Sequence, residues 1–387
     1  MRDAAPKTPP PQPAMKNGAL PIEPALNRTN KALVVEAMAA LAAAGEGGVA
    51  DAIARYHAPD ATWRGSHPFN ECDDISRLAS AVWQPLLRAF PDLERRDLLV
   101  TGGRYRTKTG AVHDLVASMG HWCGTFRAPL ADIPPTGQVA MLRYGEVHRV
   151  VDGRIVQSSC LWDMLDLMMQ AGFDPLPPAW GTETVWQAPI TGDGLSLEER
   201  DQNEGLASIR QTLAMHATLG AYNDQAMAGR DGLIAMEQRA HWHDKMMWYG
   251  PAGIGTTRAL SGFVDFHQLP FRLTFPGRKG GQTLVETDDD ARVGHYIQIG
   301  DGPYSVTGGW PSVIAQHTGG DLFGSGPTGR RIEMRVMDFY LRHEGLIREN
   351  WVPIDVPHIL MQMGIDVFAR MRDRFGPDRL GLRHGLV

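Results

Sequence analysis

Two aspartates stand at matching positions in the two halves of this chain. Asp163 and Asp355 each follow a predicted strand and precede a short apolar helix. A carboxylate that faces an apolar cavity loses solvation, which raises its pKa towards neutral pH. Such a group can remove a proton from a carbon next to a carbonyl and return it later. The same position also suits a helix N-cap that accepts backbone N–H bonds and does no chemistry, so both interpretations stay open.

Three histidines are further candidates for catalysis. His148 follows Glu146 by two residues on a predicted strand, so the two side chains face one side. They could form a base and its orienting carboxylate, or a solvent-facing pair. His121 and His317 lie in Gly-rich stretches, where a neutral imidazole could bond an enolate or ester carbonyl, or simply the backbone.

Aromatic residues supply the candidate ligand-binding positions. Tyr340 stands in the second half where His148 stands in the first. Flat rings suit the wall of a cavity for an aromatic or polycyclic ligand, with ordinary core packing as the alternative for each ring. The tryptophans in or near predicted strands are Trp63, Trp122, Trp248, Trp310 and Trp351. His241 and His243 share a strand face, but they lack an obvious third ligand, so we predict no metal site.

An internal repeat places these residues in two copies of one unit. Residues 135–174 and 327–366 match without a gap, and eleven of the forty positions are identical, including Asp163 and Asp355. About two or three identities would arise by chance at ordinary composition, so the segment is duplicated. The period is far longer than that of a solenoid and matches the length of a small domain.

Each copy has the pattern of helices followed by strands. In the first, an Ala-rich helix from Lys31 is broken at Gly45–Gly48, and strands alternate with turns from Leu98 to Cys160. The second repeats this order after a helix that starts at Leu197. Helices followed by an antiparallel meander predict an α+β fold of two tandem cone-shaped barrels. We expect function to reside in the cavity of a cone.

Composition sets the predicted domain boundaries and excludes some functions. We predict a disordered Pro-rich arm over residues 1–30, a first domain over 31–176, a linker over 177–196 and a second domain over 197–387.

The arm lacks the apolar segment of a signal peptide, and no apolar run is long enough to cross a membrane. Three cysteines without paired spacing fit a reducing cytoplasm. A formal net charge of -6 without a basic stripe argues against nucleic-acid binding.

Several short motifs occur in the same order in the two copies. In the first copy they are AFPDLERR from Ala89, GHWCGTF from Gly120, IPPTG, and the helix after Asp163 that ends in QAG. The second copy carries FPGR, GPTG, EGLIRENW, Asp355 and QMG. These motifs resemble those of the SnoaL-like polyketide cyclases, also called ester cyclases, of the nuclear transport factor 2-like superfamily. The resemblance covers nearly all of residues 31–370.

This resemblance implies cofactor-independent chemistry, the reference reaction being the intramolecular aldol closure of a polyketide ester. It gives the acid/base role to the carboxylate near the end of the last strand, Asp163 or Asp355, and an assisting role to His148. Asp355 is the better candidate because the preceding residues 349–351 are closer to the family pattern. It also implies sheet-to-sheet pairing, either as an intramolecular pseudo-dimer or in a homo-oligomer.

The sequence therefore predicts an acid/base enzyme that acts on an apolar or aromatic, carbonyl-activated small molecule. An isomerase, dehydratase or hydrolase on the same scaffold, and a non-catalytic small-molecule binding protein, are the alternatives. A deep pocket that contains an aspartate side chain would favour the enzyme. Aspartates bonded only to helix N–H groups would favour the binding protein, and a collapsed cone would favour a protein scaffold.

Overall fold

The structure is a computed structural model that describes residues 18–107, 109–220, 229–235, 237–280, 285–286 and 292–375. Its elements form two successive units. The first unit contains β1 (Gly18–Leu20), α1 (Pro24–Ala43), α2 (Gly45–Tyr56), β2 (His57–Gly65), β3 (Glu71–Cys72), α3 (Gln84–Ala89), β4 (Glu94–Arg106), β5 (Val112–Thr125), β6 (Val139–Val151), β7 (Arg154–Trp162) and α4 (Met164–Gln170).

The second unit repeats this succession of helices and strands, with additional short pieces. It contains α5 (Gln202–Gly220), α6 (Arg230–Ala235), β8 (Trp242–Tyr249), β9 (Thr257–Arg258), α7 (Ala259–Phe263), α8 (Leu269–Thr274), β10 (Lys279–Gly280), β11 (Val285–Glu286), β12 (Arg292–Val293), β13 (Ile297–Asp301), β14 (Tyr304–Gln316), β15 (Arg331–His343), β16 (Leu346–Trp351), α9 (Val356–Met363) and α10 (Val367–Phe375).

Each unit builds one main sheet with a corresponding strand order. The first sheet runs β1-β4-β5-β6-β7-β2-β3, and the second runs β10-β14-β15-β16-β8-β9, with β13 also paired to β14. In both sheets the early strand joins the last one in parallel, β2 with β7 and β8 with β16, while the other described pairs are antiparallel. The structure confirms the predicted α+β class and the two tandem units.

A local packing motif recurs in the two units. The ring of Trp63 lies over Gly65, and the ring of Trp248 lies over Gly250. A Cβ atom on either glycine would lie only 2.2 or 2.3 Å from the tryptophan ring. The close approach therefore requires glycine at both positions. This explains why the Trp-x-Gly pattern appears in both copies at a spacing of 185 residues.

The two sheets pack against each other through their outer faces. Along β6 and β15, alternate side chains point into the unit and towards the other sheet. The buried apolar cluster between the sheets includes Leu99, Met119, Val147, Ile299, Met337, Phe339 and Trp351. The predicted intramolecular pairing of sheets is therefore present in the structure, while pairing with another chain stays a prediction.

The N-terminus and the connection between the units differ from the sequence predictions. The sequence predicts disorder up to residue 30, yet β1 pairs with β4 and α1 begins at Pro24. Glu23 caps α1 by accepting from the Leu26 N–H, and the fixed φ of Pro24 suits a first helical turn. Residues 1–17 of the predicted arm lie outside the described residues, as do residues 376–387 of the predicted second domain.

The predicted linker over 177–196 is packed against both units. Its Ile190 N–H donates to Glu349 in the second unit, and its Gly194 carbonyl accepts from Val100 in the first. The helix expected from Leu197 begins at Gln202 instead. None of the described helices combines the length and apolar character of a membrane span.

Candidate functional site

The second unit contains a deep cavity between its sheet and its helices. The cavity has about 830 Å³ of atom-free space, including solvent at its mouth. Aromatic and aliphatic side chains form most of the wall, among them Trp242, Trp248, Phe263, Phe271, Val336 and Ile359. The polar groups that line it are few, namely His216, His267, Gln268, Arg278, His295, Asp338, Tyr340 and Asn350. An apolar cavity with a few convergent polar groups is typical of a small-molecule site.

Smaller side chains explain why this cone is open. Leu142 and Met334 correspond in the repeat, and their cross-strand neighbours are Trp122 and Val313. At four corresponding positions the second unit carries a smaller side chain than the first. These are Gln268 for Trp83, Val313 for Trp122, Val336 for Tyr144 and Ile354 for Trp162. The four smaller side chains line the cavity. The four larger ones fill the core of the first unit.

Four polar side chains meet on the cavity wall and are called the Asp338 cluster. Asp338 and Tyr340 belong to β15, His216 belongs to α5, and His295 precedes β13. Asp338 Oδ2 lies 3.2 Å from His295 Nδ1. The Tyr340 hydroxyl lies 2.8 Å from His216 Nε2 and also bonds to Asp338. The cluster is therefore continuous, and Asn350 Nδ2 extends it by donating to Asp338 Oδ1 at 3.4 Å.

Burial sets the protonation states in the Asp338 cluster. Burial raises the pKa of Asp338 to about 7, against the opposing effect of the Asn350 and Tyr340 hydrogen bonds. Burial also lowers the pKa of His295 to about 4 and that of His216 well below its usual range. At neutral pH the site holds two neutral imidazoles and a carboxyl group that is close to half ionised. Such a carboxyl can act as a general base and then as a general acid.

The corresponding carboxylate of the first unit is neutralised by an arginine. Glu146 matches Asp338 in the repeat, but Arg95 Nη1 donates to its Oε2 at 2.8 Å. Trp162 Nε1 donates to Oε1, and His148 Nε2 lies 3.3 Å from Oε2. Burial would raise the pKa of Glu146, yet Arg95 and His148 lower it to about 2. This carboxylate stays ionised at neutral pH, and both of its oxygens already accept hydrogen bonds from neighbouring side chains.

Asp355 does not line the cavity but caps a helix. Its Oδ1 accepts from the His358 N–H at 3.2 Å, in the first turn of α9. Its Oδ2 accepts from the His67 N–H and from Arg335 Nη1, both at 3.0 Å. Burial raises the pKa of Asp355 to about 6, with Arg335 opposing that effect. The contacts match the capping interpretation, and the catalytic role stays a prediction that they do not support.

Asp163 makes the equivalent contacts in the first unit. Its Oδ1 accepts from the Asp166 N–H at 3.1 Å, and its Oδ2 accepts from the Ala252 N–H at 2.9 Å. Arg143 Nη1 lies 3.2 Å from Oδ2. Ala252 belongs to the second unit, and it stands 185 residues after His67, which bonds Asp355 from the first. The two aspartates therefore join the units through an approximately twofold pair of contacts.

The predicted histidines lie apart from the cavity. His148 Nδ1 lies 2.9 Å from Ser158 Oγ inside the first unit. His121 belongs to β5, where burial and a neighbouring arginine lower its pKa to about 4. His317 is bonded to Thr328 Oγ1 at 3.1 Å in the turn after β14. The structure does not bring these three histidines together with the Asp338 cluster, so their catalytic roles stay predictions.

Two of the predicted ligand-binding aromatics line the cavity, Trp248 and Tyr340. The ring of Trp248 stacks on His267 with centroids 3.9 Å apart. The other predicted rings lie elsewhere, Trp63 and Trp122 in the core of the first unit, Trp351 stacked on Tyr249 between the sheets, and Trp310 in a groove between the units.

Sequence reasoning missed the residues that make the cavity polar. Asp338 had a usable signal, because it is the repeat partner of Glu146 and shares a strand face with Tyr340. His216 and His295 had none, because they lie far from Asp338 in the chain and only the tertiary fold brings them together. Within the described ranges, no three His, Cys, Asp or Glu side chains converge as metal ligands.

One family model matches the first unit. Residues 32–171 match the SnoaL-like polyketide cyclases. This match confirms the resemblance that the motifs of the first unit predict. The matched range ends before the second unit, so a second SnoaL-like copy stays a prediction that the internal repeat and the shared strand order support.

Three solved structures similar to this chain carry provisionally assigned functions. A SnoaL-like polyketide cyclase from Jannaschia sp. CCS1 is 20% identical, with 39% of this chain and 95% of that chain covered and a TM-score of 0.30. AclR, named as a hydroxylase from Streptomyces galilaeus, is 25% identical, with 41% and 86% covered and a TM-score of 0.31. IdmH, named as a polyketide cyclase from Streptomyces antibioticus, is 25% identical, with 36% and 98% covered and a TM-score of 0.27. No curated protein matches the chain.

Proposed function

We propose that this protein is a cofactor-independent acid/base enzyme whose active site is the cavity of the second unit. The observation that carries the proposal is the Asp338 carboxyl, which is buried in an apolar cavity with a pKa of about 7. Its carboxyl contacts the neutral His295, whereas Glu146 at the matching position is paired with the charged Arg95. The SnoaL-like match of the first unit supports the scaffold, and the cavity chemistry supports the reaction class.

In the proposed mechanism, ionised Asp338 removes a proton from the carbon next to a substrate carbonyl. The C–H electron pair moves onto the carbonyl oxygen, where the Tyr340 hydroxyl or neutral His216 donates a hydrogen bond to the enolate. The enolate carbon then attacks a second carbonyl of the same molecule, which forms a carbon–carbon bond. Asp338 returns its proton to the new alkoxide. His295 orients the carboxyl through its Nδ1 contact.

The cavity favours an apolar, carbonyl-activated substrate of polyketide-like or aromatic character. Aromatic rings form much of the wall, and they pack well against flat ligands. His267 adds a polar contact, because its Nδ1 is buried without a hydrogen-bond partner among the described residues. Isomerisation, dehydration and ester hydrolysis use the same proton transfers, and they differ from aldol closure in the product formed.

The first unit acts in this proposal as a structural partner of the active one. Its core is filled by Trp83, Trp122, Tyr144 and Trp162. We keep the predicted division into two domains, with the first domain extended to include β1 and the start of α1. We also keep the cytoplasm as the proposed location, since its reducing conditions preserve the free thiols of Cys72, Cys123 and Cys160.

A turnover screen of β-keto esters and polycyclic aromatic esters tests the function. Wild type, Asp338→Asn and Asp355→Asn are incubated with each compound, and the products and bound ligands are measured by mass spectrometry and calorimetry. We expect a converted compound to bind Asp338→Asn without turnover, while folded Asp355→Asn retains it. Compounds that bind and are released unchanged by all three proteins would instead show a binding protein.

A further inference from the structure

A second concave site lies between the two units, separate from the cavity. Its floor is the part of the first sheet's outer face that the second sheet leaves uncovered, and Trp310 of β14 forms part of its wall. The groove has about 1090 Å³ of atom-free space, including open solvent. It shares no lining residue with the cavity among the described residues.

The groove is cationic although the chain carries a formal charge of -6. Arg64 and Arg149 line it, and none of the described residues that line it is a carboxylate. Arg64 Nε donates to Ser159 Oγ at 2.8 Å, and its guanidinium lies 5.0 Å from the Trp310 ring centroid. These contacts orient the guanidinium and leave its charge uncompensated within the described part of the groove.

Two side chains that line the groove carry a buried hydrogen-bond donor without an acceptor. Arg149 Nε and Trp310 Nε1 are enclosed, and neither has a hydrogen-bond partner among the described residues. Both atoms can only donate, so an acceptor is the group that would satisfy them. A ligand in the groove would meet the partly exposed remainder of the Arg149 side chain, and an anionic group suits its charge.

The other walls of the groove are partly aromatic. Tyr296 and Trp310, which are only partly buried, supply ring surface beside the two arginines. The positive charge is not required by the fold, because Arg149 corresponds in the repeat to Leu341, which is buried between the sheets. A guanidinium binds a carboxylate through paired N–H donors in one plane. The groove thus combines a carboxylate-binding end with an aromatic wall.

We propose that this groove binds a small aromatic carboxylate, whose carboxylate contacts Arg64 and Arg149 and whose ring packs against Tyr296 and Trp310. The site is independent of the chemistry proposed for the Asp338 cluster. It gives the protein a second ligand site at the junction of its two units.

Isothermal titration calorimetry of the full chain with 2-naphthoate tests the proposal, with neutral 2-naphthamide as the matched probe. We expect 2-naphthoate to bind at least tenfold more tightly than the amide and to weaken as salt is raised. Arg149→Gln and Arg64→Gln should each weaken it at least tenfold. Arg96→Gln, at an exposed arginine outside the groove, should leave binding unchanged.

Val313→Trp separates the groove from the cavity, because it fills the cavity and leaves the groove intact. Retained 2-naphthoate binding in this variant supports the groove, and loss of binding overturns it. Equal binding of the amide, unchanged binding by both folded groove variants, or no detectable binding also overturns it. Circular dichroism confirms the fold of each variant, and a misfolded Arg149→Gln leaves Arg64→Gln to decide.

Discussion

Asp338→Asn is expected to stabilise the protein above pH 7 relative to wild type. Burial raises the pKa of Asp338 from 3.8 to about 7. Between these values the folded state keeps a proton that the unfolded state has released, so the free energy of unfolding falls as the pH rises. A shift of about three pKa units corresponds to roughly 4 kcal/mol above pH 7, as an upper bound. Asparagine has nearly the same shape and does not ionise.

Urea unfolding of wild type and Asp338→Asn at pH 5 and pH 8.5 measures this effect. Asp355 and Asp166, whose pKa values burial raises to about 6, titrate in both proteins and cancel in the comparison. We expect the stability advantage of Asp338→Asn to grow by roughly 3 kcal/mol between the two pH values.

Glu146→Gln is the matched control for this experiment. Burial would raise the pKa of Glu146, but Arg95 and His148 lower it to about 2. Its stabilising contribution is present above its unfolded pKa and is lost only in acid, so Glu146→Gln should be destabilised by a nearly constant amount from pH 5 to 8.5. A constant difference for Asp338→Asn as well would refute the assignment of a near-neutral pKa to Asp338.

Four further substitutions test the remaining assignments. Val313→Trp introduces the ring found in the first unit, and it should abolish turnover and substrate binding in the cavity while the protein keeps a cooperative thermal transition. Retained turnover would contradict the assigned cavity. Asp163→Ala and Asp355→Ala each remove a cap and a buried charged contact, so each should lower the free energy of unfolding by about 3–5 kcal/mol without loss of turnover per folded molecule. Arg95→Ala leaves Glu146 buried and unpaired, and a cost of about 3–5 kcal/mol is expected in urea unfolding; a negligible cost would show that Glu146 is not held by Arg95.

Much of the fold is predictable from the sequence because duplication is visible in it. The shared PTG turn, the hairpin glycine (Gly153 and Gly345) and the capping aspartate each fix a local conformation, and their common order predicts two α+β units. The N-terminal boundary is not predictable in the same way. Proline and small residues suggest disorder there, but β1 is held by pairing with β4, which is a tertiary contact.

The candidate site is only partly predictable from the sequence. Identity between copies draws attention to Asp163 and Asp355, yet that identity reflects a structural role common to both units, capping a helix and bonding the other unit. The proposed active site lies where the copies differ, at Glu146 and Asp338, because the second unit lacks the four large side chains and the arginine contact of the first. The histidines of the cluster come from distant segments, so no local pattern contains them.

The central claim is that Asp338 transfers protons within the second cavity. Hydrogen–deuterium exchange at the carbon next to the carbonyl of 1-tetralone, followed by proton NMR in deuterium oxide, tests it without knowledge of the natural substrate. We predict exchange above the buffer rate with wild type and Asp355→Asn, and exchange at the buffer rate with Asp338→Asn. Exchange that survives in Asp338→Asn and disappears in folded Asp355→Asn would contradict the account and return the acid/base role to Asp355.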